Sequence, residues 1–394
     1  MSALPDSSLP VATLPPLKRL LPAVLVLALA IALSAWLGGL ENQRDLALSS
    51  LLGIAFGVLL QRARFCFFCV TRDFLDQRDA RGLLGIIAAL VVGTLGYHLV
   101  FGAFLPVPAP GRLPPEAHVG PLSWVLAAGA FSFGAGMSLS GSCISAHLYR
   151  LGEGSLASPV ALLGAGIGFI LGFASWNTLY LATIQEAPVV WLPNLLGYGG
   201  SVALQLALLG GLALWLAHAH RPQAQAAPLV WWQRRWPAYV GGILIGTLAA
   251  LSYLRVGPLG VTAELGSIAR TAANTQGWLP ERLEGLDTFS GCATVIKETL
   301  WSKNGAFVVS LVLGAFASAL LAGEFKPVKP GLGALARNLF GGVLMGWGAM
   351  LALGCTVGTL LSGIMAGAVS GWVFALSALA GLWLGWRLRQ RWGR

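Results

Sequence analysis

The chain has 394 residues, 56% of them hydrophobic and only 10% charged. A soluble domain of ordinary composition carries about 25% charged residues, so this chain has too few to cover a water-facing surface. It reads as an all-α integral membrane protein. The net charge of +10 comes from basic residues scattered between apolar segments, which is loop charge and not a nucleic-acid footprint.

In chain order, residues 1–19 are polar and Pro-rich and end in Lys18 and Arg19. The apolar run that follows shows no small-residue cleavage site and is read as a retained span. A span needs about 20 apolar residues. The segments that reach this length are 20–39, 82–105, 121–139, 156–182, 195–217, 236–254, 304–322, 333–353 and 366–386. That predicts about nine transmembrane helices. Two further apolar pieces, 46–60 and 256–269, fall short and are expected to be re-entrant. The basic linker 218–236 is too short and too polar to fold alone.

The sequence repeats weakly. Cys143 and Cys355 stand about 212 residues apart, and the same spacing relates Gly134 to Gly346, Gly136 to Gly348 and Ser158 to Ser370. This predicts a first membrane repeat at 20–182, a connecting span with a basic linker at 183–235, and a second repeat at 236–394. Nine crossings would invert the second unit relative to the first and put the two termini on opposite faces. One face would collect Arg44, Arg62, Arg64, Arg72, Arg78, Arg81, Arg150, Arg221, Arg234, Arg235, Lys326, Lys329, Arg337 and the arginines at the C-terminus. The other would hold Lys18, Arg19, Arg112, Arg255, Arg270, Arg282, Lys297 and Lys303. Positive residues favour the cytoplasm, so the N-terminus is expected outside and the C-terminus inside. A ten-span arrangement, with 46–60 crossing and the N-terminus inside, fits the charges almost as well but breaks the repeat.

Each repeat interrupts an apolar segment with small residues and one thiol: "GSCISAHLYRLGEGS" at 141–155 and "GCTVGTLLSG" at 354–363. Irregular backbone at membrane depth is tolerated only against protein or a polar cavity. Broken helices expose N-terminal N–H groups that favour anions. Cys143 and Cys355 therefore read as donors at the two halves of an anion path, with Ser142, His147, Gly354 and Thr356 beside them. A thiol is a weak, soft donor. It suits an anion with a soft terminal atom and binds weakly enough to let it leave. Cys66 reads equally well as path or packing, and Cys69 as a small buried hydrophobe. Cys292 stays open. His147 could pair with Cys143, cap a helix or line a vestibule, and one of the latter two is the simpler reading. Arg150 and Glu153 are spaced for a local ion pair. Arg62 and Arg64 could draw an anion to the inner mouth, although loop charge alone would explain them. No second Cys pair, His or Glu completes a metal site around Cys66 and Cys69. No Walker-type or dinucleotide-binding glycine loop is present. No cofactor and no enzyme chemistry are expected.

"RARFCF" (62–67), "GSCISAHLYRLGEGS" and "GCTVGTLLSG" together resemble the YeeE/YedE family of bacterial sulfur-transport membrane proteins. The resemblance runs from about residue 46 to the C-terminus. It implies an hourglass of nine transmembrane helices with short helices and loops entering the membrane, set in the inner membrane. It implies thiosulfate uptake by transient S–H to sulfur contacts, at positions matching Cys66, Cys143 and Cys355. It also implies a small soluble sulfurtransferase of the TusA type as cytoplasmic partner. Ser142 departs from the pattern, where a glycine is usual.

Two other readings stay open. One is a transporter of another sulfur or selenium compound through the same pore. The other is a membrane thiol–disulfide oxidoreductase using Cys66 and Cys69. For coupling, the candidate proton carriers are few: Glu264 and Glu298 near the second short piece, and His98 in a span.

Overall fold

The computed structural model describes residues 16–39, 43–109, 111–221, 233–280, 282–286, 289, 294–297, 299 and 301–392. Cys292, Glu298 and most of the 218–236 linker lie outside them. Among the described residues every regular element is helical. The first half comprises α1 (Leu17–Gly39), α2 (Arg44–Ala63), α3 (Phe67–Gln77), α4 (Arg81–Phe104), α5 (Trp124–Ser140), α6 (Ile144–Gly152) and α7 (Ser158–Leu179). The second comprises α8 (Leu192–Ala219), α9 (Ala238–Arg255), α10 (Thr262–Thr275), α11 (Lys303–Ala322), α12 (Leu332–Leu351), α13 (Thr356–Met365) and α14 (Val369–Trp392). Local sequence sets several ends. The Ser123 hydroxyl accepts from the Leu126 amide at the start of α5, and Ser302 does the same for Gly305 at the start of α11. Gly323, at φ +70, ends α11.

Nine stretches among the described residues are long and apolar enough to cross a membrane, or ten if the bent pair α12–α13 forms one span. The sequence reading takes 46–60 as a short re-entrant piece. Those residues form α2, a full 20-residue helix. The apolar core alone is short, but the polar residues at its end are paired with protein. Gln61 donates to Glu324 at 2.6 Å and accepts from Ser318 at 2.8 Å, and Arg62 donates to the Arg234 carbonyl. A polar helix end satisfied in this way can lie at membrane depth. In the second short piece, α10 is a 14-residue helix outside the set that can span.

The first and last described helices, α1 and α14, make contacts near the ends of α11 and α5. Arg19 packs over Gly323, beside Glu324. Glu324 also meets Gln61 and Arg235. At the end of α14, Arg389 donates to the Ser138 carbonyl. The sequence reading, on nine crossings, expects the termini on opposite faces of the membrane. Lys18 and Arg19 join the basic end. Arg44, at the start of α2, lies at the other end, where its neighbour Asp45 pairs with Lys303 at 2.8 Å.

Helix packing recurs in pairs across the two halves. α2 packs on α11 as α9 packs on α4, α1 on α11 as α8 on α4, and α5 on α14 as α12 on α7. α5 and α12 pack against each other, with Gly129 beside Gly348 and Gly136 beside Gly341, so they run antiparallel. The closest approaches are reciprocal. A Cβ on Gly134 would lie 1.9 Å from the Ala378 carbonyl oxygen, and one on Gly346 would lie 2.0 Å from that of Ala165. Only glycine admits such contact.

Candidate functional site

Three of the helical breaks carry a thiol at the same structural position. After α2, Arg64 turns left-handed at φ +48 and Cys66 becomes the N-cap of α3. After α5, Gly141 turns at φ +81 and Cys143 caps α6. After α12, Leu353 is left-handed at φ +53, the chain bends by 44° and Cys355 caps α13. A left-handed residue stops a helix and frees the next amides. Each thiol therefore sits where unsatisfied N–H groups begin a new helix. Because α5 and α12 are antiparallel, the Cys143 and Cys355 breaks lie toward opposite ends of the bundle.

At the basic end the geometry is a cluster. The Cys66 thiol lies near those of Cys143 and Cys69, and it accepts from the Cys69 amide at 3.4 Å. Cys143 meets the Ser145 hydroxyl at 3.2 Å. All three thiols are free and buried. At the other end, Cys355 is within hydrogen-bond reach of Thr262 at the start of α10. Thr359 braces that break by donating to the carbonyls of Ala352 and Leu353.

The residues singled out beside the thiols fall into two groups. Ser142 and Thr356 are buried, and their hydroxyls have no hydrogen-bond partner. His147 is 2% exposed; its Nδ1 meets Ser158 at 3.3 Å while its Nε2 is unpaired. His147 therefore does not pair with Cys143 through its side chain. Gly354 borders a slot of about 10 Å³ with Thr262, Thr294 and Met350, room for roughly one water. Arg64 is exposed at the C-terminal end of α2.

Two residues take parts that the sequence did not suggest. Arg150 does not form the local salt bridge with Glu153. Its guanidinium donates to the Gly141 carbonyl and to the Cys69 sulfur, each at 3.3 Å. Glu153 instead accepts from Gln61 at 3.4 Å. Cys69 is thus a neighbour of the cluster and not isolated packing. Both contacts had a faint signal: Cys69 lies one helical turn after Cys66, and Arg150 lies two turns after Cys143, on the same face of α6.

The basic end holds a cavity of about 220 Å³ lined by Phe68, Arg72, Asp76, Ser138, Trp386 and Arg389. Nearby, the Arg81 guanidinium holds the Asp79 carboxyl below the usual carboxylate range. The candidate proton carriers that are described are already engaged. Glu264 is buried, paired with Lys297 and bonded by the Ser302 hydroxyl at 2.7 Å. His98 contacts the Thr94 carbonyl at 2.8 Å and Ser201 at 2.9 Å. Among the described residues no group of three His, Cys, Asp or Glu side chains is arranged to hold a metal.

Comparison with known proteins agrees with this architecture. The chain is similar to the thiosulfate transporter TsuA of Spirochaeta thermophila, 27% identical over 356 residues, which is 86% of this chain and 98% of that protein. It is 26% identical to TsuA of Escherichia coli over 84% of this chain and 91% of the relative. It is also 33% identical to the probable transporter YedE of Salmonella typhimurium, over 44% of this chain and 41% of that protein. The model of the family described as Sulphur transport matches residues 62–384. The chain therefore belongs to the sulphur transport family, as a multi-pass membrane protein whose relatives are named as transporters.

Proposed function

We propose that this chain carries thiosulfate, or a related inorganic sulfur anion, into the cell across the bacterial inner membrane along a path of thiols. The observation that carries the reading is the recurrence of one arrangement. Cys66, Cys143 and Cys355 each cap the second part of a broken helix, and each is free and buried. A thiol can donate S–H to a passing sulfur while the adjoining helix amides favour its charge. Neither contact is strong, so the anion can move on. The anion would meet Cys355 first, then Cys143 and Cys66. The relatives named as thiosulfate transporters support the substrate.

The paired helix packing supports two inverted halves, α1–α7 and α8–α14, with five spans each. An odd number of crossings inverts the second half. Tertiary packing thus favours α8 as the mate of α1, in place of a connector outside the repeats. The basic end, with both termini, faces the cytoplasm in this reading.

Entry of an anion opposes an inside-negative potential by about 2.3 kcal/mol per charge per 100 mV. With Glu264 and His98 engaged, the reading is facilitated entry pulled by cytoplasmic consumption. A TusA-type sulfurtransferase, docking on the basic face near Arg72, Arg78 and Arg81 or on the 218–236 linker, would do this.

The test is uptake of labelled thiosulfate by Cys143→Ala and Cys355→Ala variants with confirmed insertion. Both are expected to lose it. Uptake at the wild-type rate in either variant would remove the thiol path. A second reading, the thiol–disulfide oxidoreductase, draws on Cys66 and Cys69 at the start of α3. It requires Cys69 to be indispensable, so normal activity of Cys69→Ser excludes it.

A further inference from the structure

The thiols account for only the soft end of a sulfur oxyanion. The other end carries hard, charged oxygens, and the three thiols supply no positive charge for it. A cation stands at the Cys66–Cys143 station. Arg150 is mostly buried on α6, and its guanidinium touches the Cys69 sulfur and the Gly141 carbonyl at the α5–α6 break. It makes no salt bridge among the described residues. Glu153 acts on it only from beyond salt-bridge distance, and a mostly buried guanidinium without a contacting counter-ion is costly and in a membrane protein marks an ion site.

Two further observations point to a ligand at this place. The Ser142 hydroxyl and His147 Nε2 are both buried, at 0% and 2% exposure, and both lack partners. Buried polar atoms are normally paired. Ser142 adjoins the N-cap Cys143, and His147 lies one turn into α6. Side chains on a helix lean toward its N-terminus, which is how Arg150, two turns along, reaches back to Gly141.

Resting on the thiosulfate reading, we propose that Arg150 is the specificity-determining cation of the inner station. It binds the sulfonate oxygens of the anion while Cys66 and Cys143 hold its terminal sulfur, and Ser142 and His147 donate to the remaining oxygens. The planar fork of a guanidinium suits two oxygens of one sulfonate group. Cys69 acts as a positioning residue that keeps the fork turned toward the break. The site therefore selects anions that have both a soft sulfur and at least two charged oxygens, and sulfide or a neutral thiol would bind poorly.

The experiment uses the full chain in proteoliposomes with labelled thiosulfate. Wild type, Arg150→Lys and Arg150→Gln are compared for KM, maximal rate and inserted amount. Arg150→Gln is expected to raise KM by about tenfold or more. Arg150→Lys keeps the charge but loses the fork, and should fall between the two. A role in packing alone would lower the inserted amount and the maximal rate while leaving KM unchanged. That result in either inserted variant overturns the proposal, and the Lys variant decides the matter if the Gln variant does not insert. If wild type takes up no thiosulfate, the functional reading falls and this site falls with it. If wild type transports and the Arg150 variants keep its KM, only the site falls.

Discussion

Gly134→Ala and Gly346→Ala test the inverted packing directly. Each variant adds one methyl group. At Gly346 that methyl would lie 2.0 Å from the Ala165 carbonyl oxygen, and at Gly134 it would lie 1.9 Å from that of Ala378. Ordinary van der Waals contact begins at 3.4 Å, so each helix pair must separate by more than an ångström. Backbone is the obstacle in both cases, so no side-chain rotation relieves it. A gap of 0.5–1 Å already forfeits roughly a quarter to a half of the dispersion attraction along a packed seam. Overpacking of this kind costs about 1–3 kcal/mol, and the backbone obstacle places both variants toward the upper figure. The α7–α12 and α5–α14 seams are mates, so the two losses should agree to within about 1 kcal/mol, the spread common among equivalent buried sites. Thermal unfolding of the detergent-purified protein reads both. A wild-type melting temperature in either variant, or a large loss in one and none in the other, would refute the reciprocal packing.

Other outcomes follow from the same structure. Tags at both termini should be reached only after the cytoplasmic membrane is permeabilised, because ten crossings return the chain to its starting side; labelling of one tag but not the other in intact cells would refute ten crossings. Cys355→Ser should keep at most partial uptake, since a hydroxyl is a harder group and holds a passing sulfur less well; full uptake would show that softness does not matter there. Proteoliposomes holding the protein alone, without nucleotide, should equilibrate thiosulfate, and a strict need for added nucleotide would refute unaided passage. In cells lacking the sulfurtransferase partner, uptake should fall with or without a protonophore; uptake that persists there and collapses with the protonophore would establish proton coupling instead.

Composition and apolar run length were enough to place this chain in the membrane. Only 10% of its residues are charged, and a span leaves a local signature in the sequence. The small-residue breaks were also legible, because Gly141, Gly354 and the thiols beside them interrupt long apolar segments. Gly134 and Gly346, which the spacing equates, each lie against a carbonyl of a neighbouring helix, Ala378 and Ala165. What sequence could not decide was where polar residues find partners. Residues 46–60 looked too short because Gln61 and Arg62 look unfit for lipid, and only packing supplies Ser318, Glu324 and the Arg234 carbonyl. Arg150 and Glu153 are spaced for a local pair, yet Glu153 meets Gln61 and Arg150 meets Cys69. Local spacing constrains which groups can meet along one helix, whereas burial and charge pairing depend on segments that come from other parts of the chain.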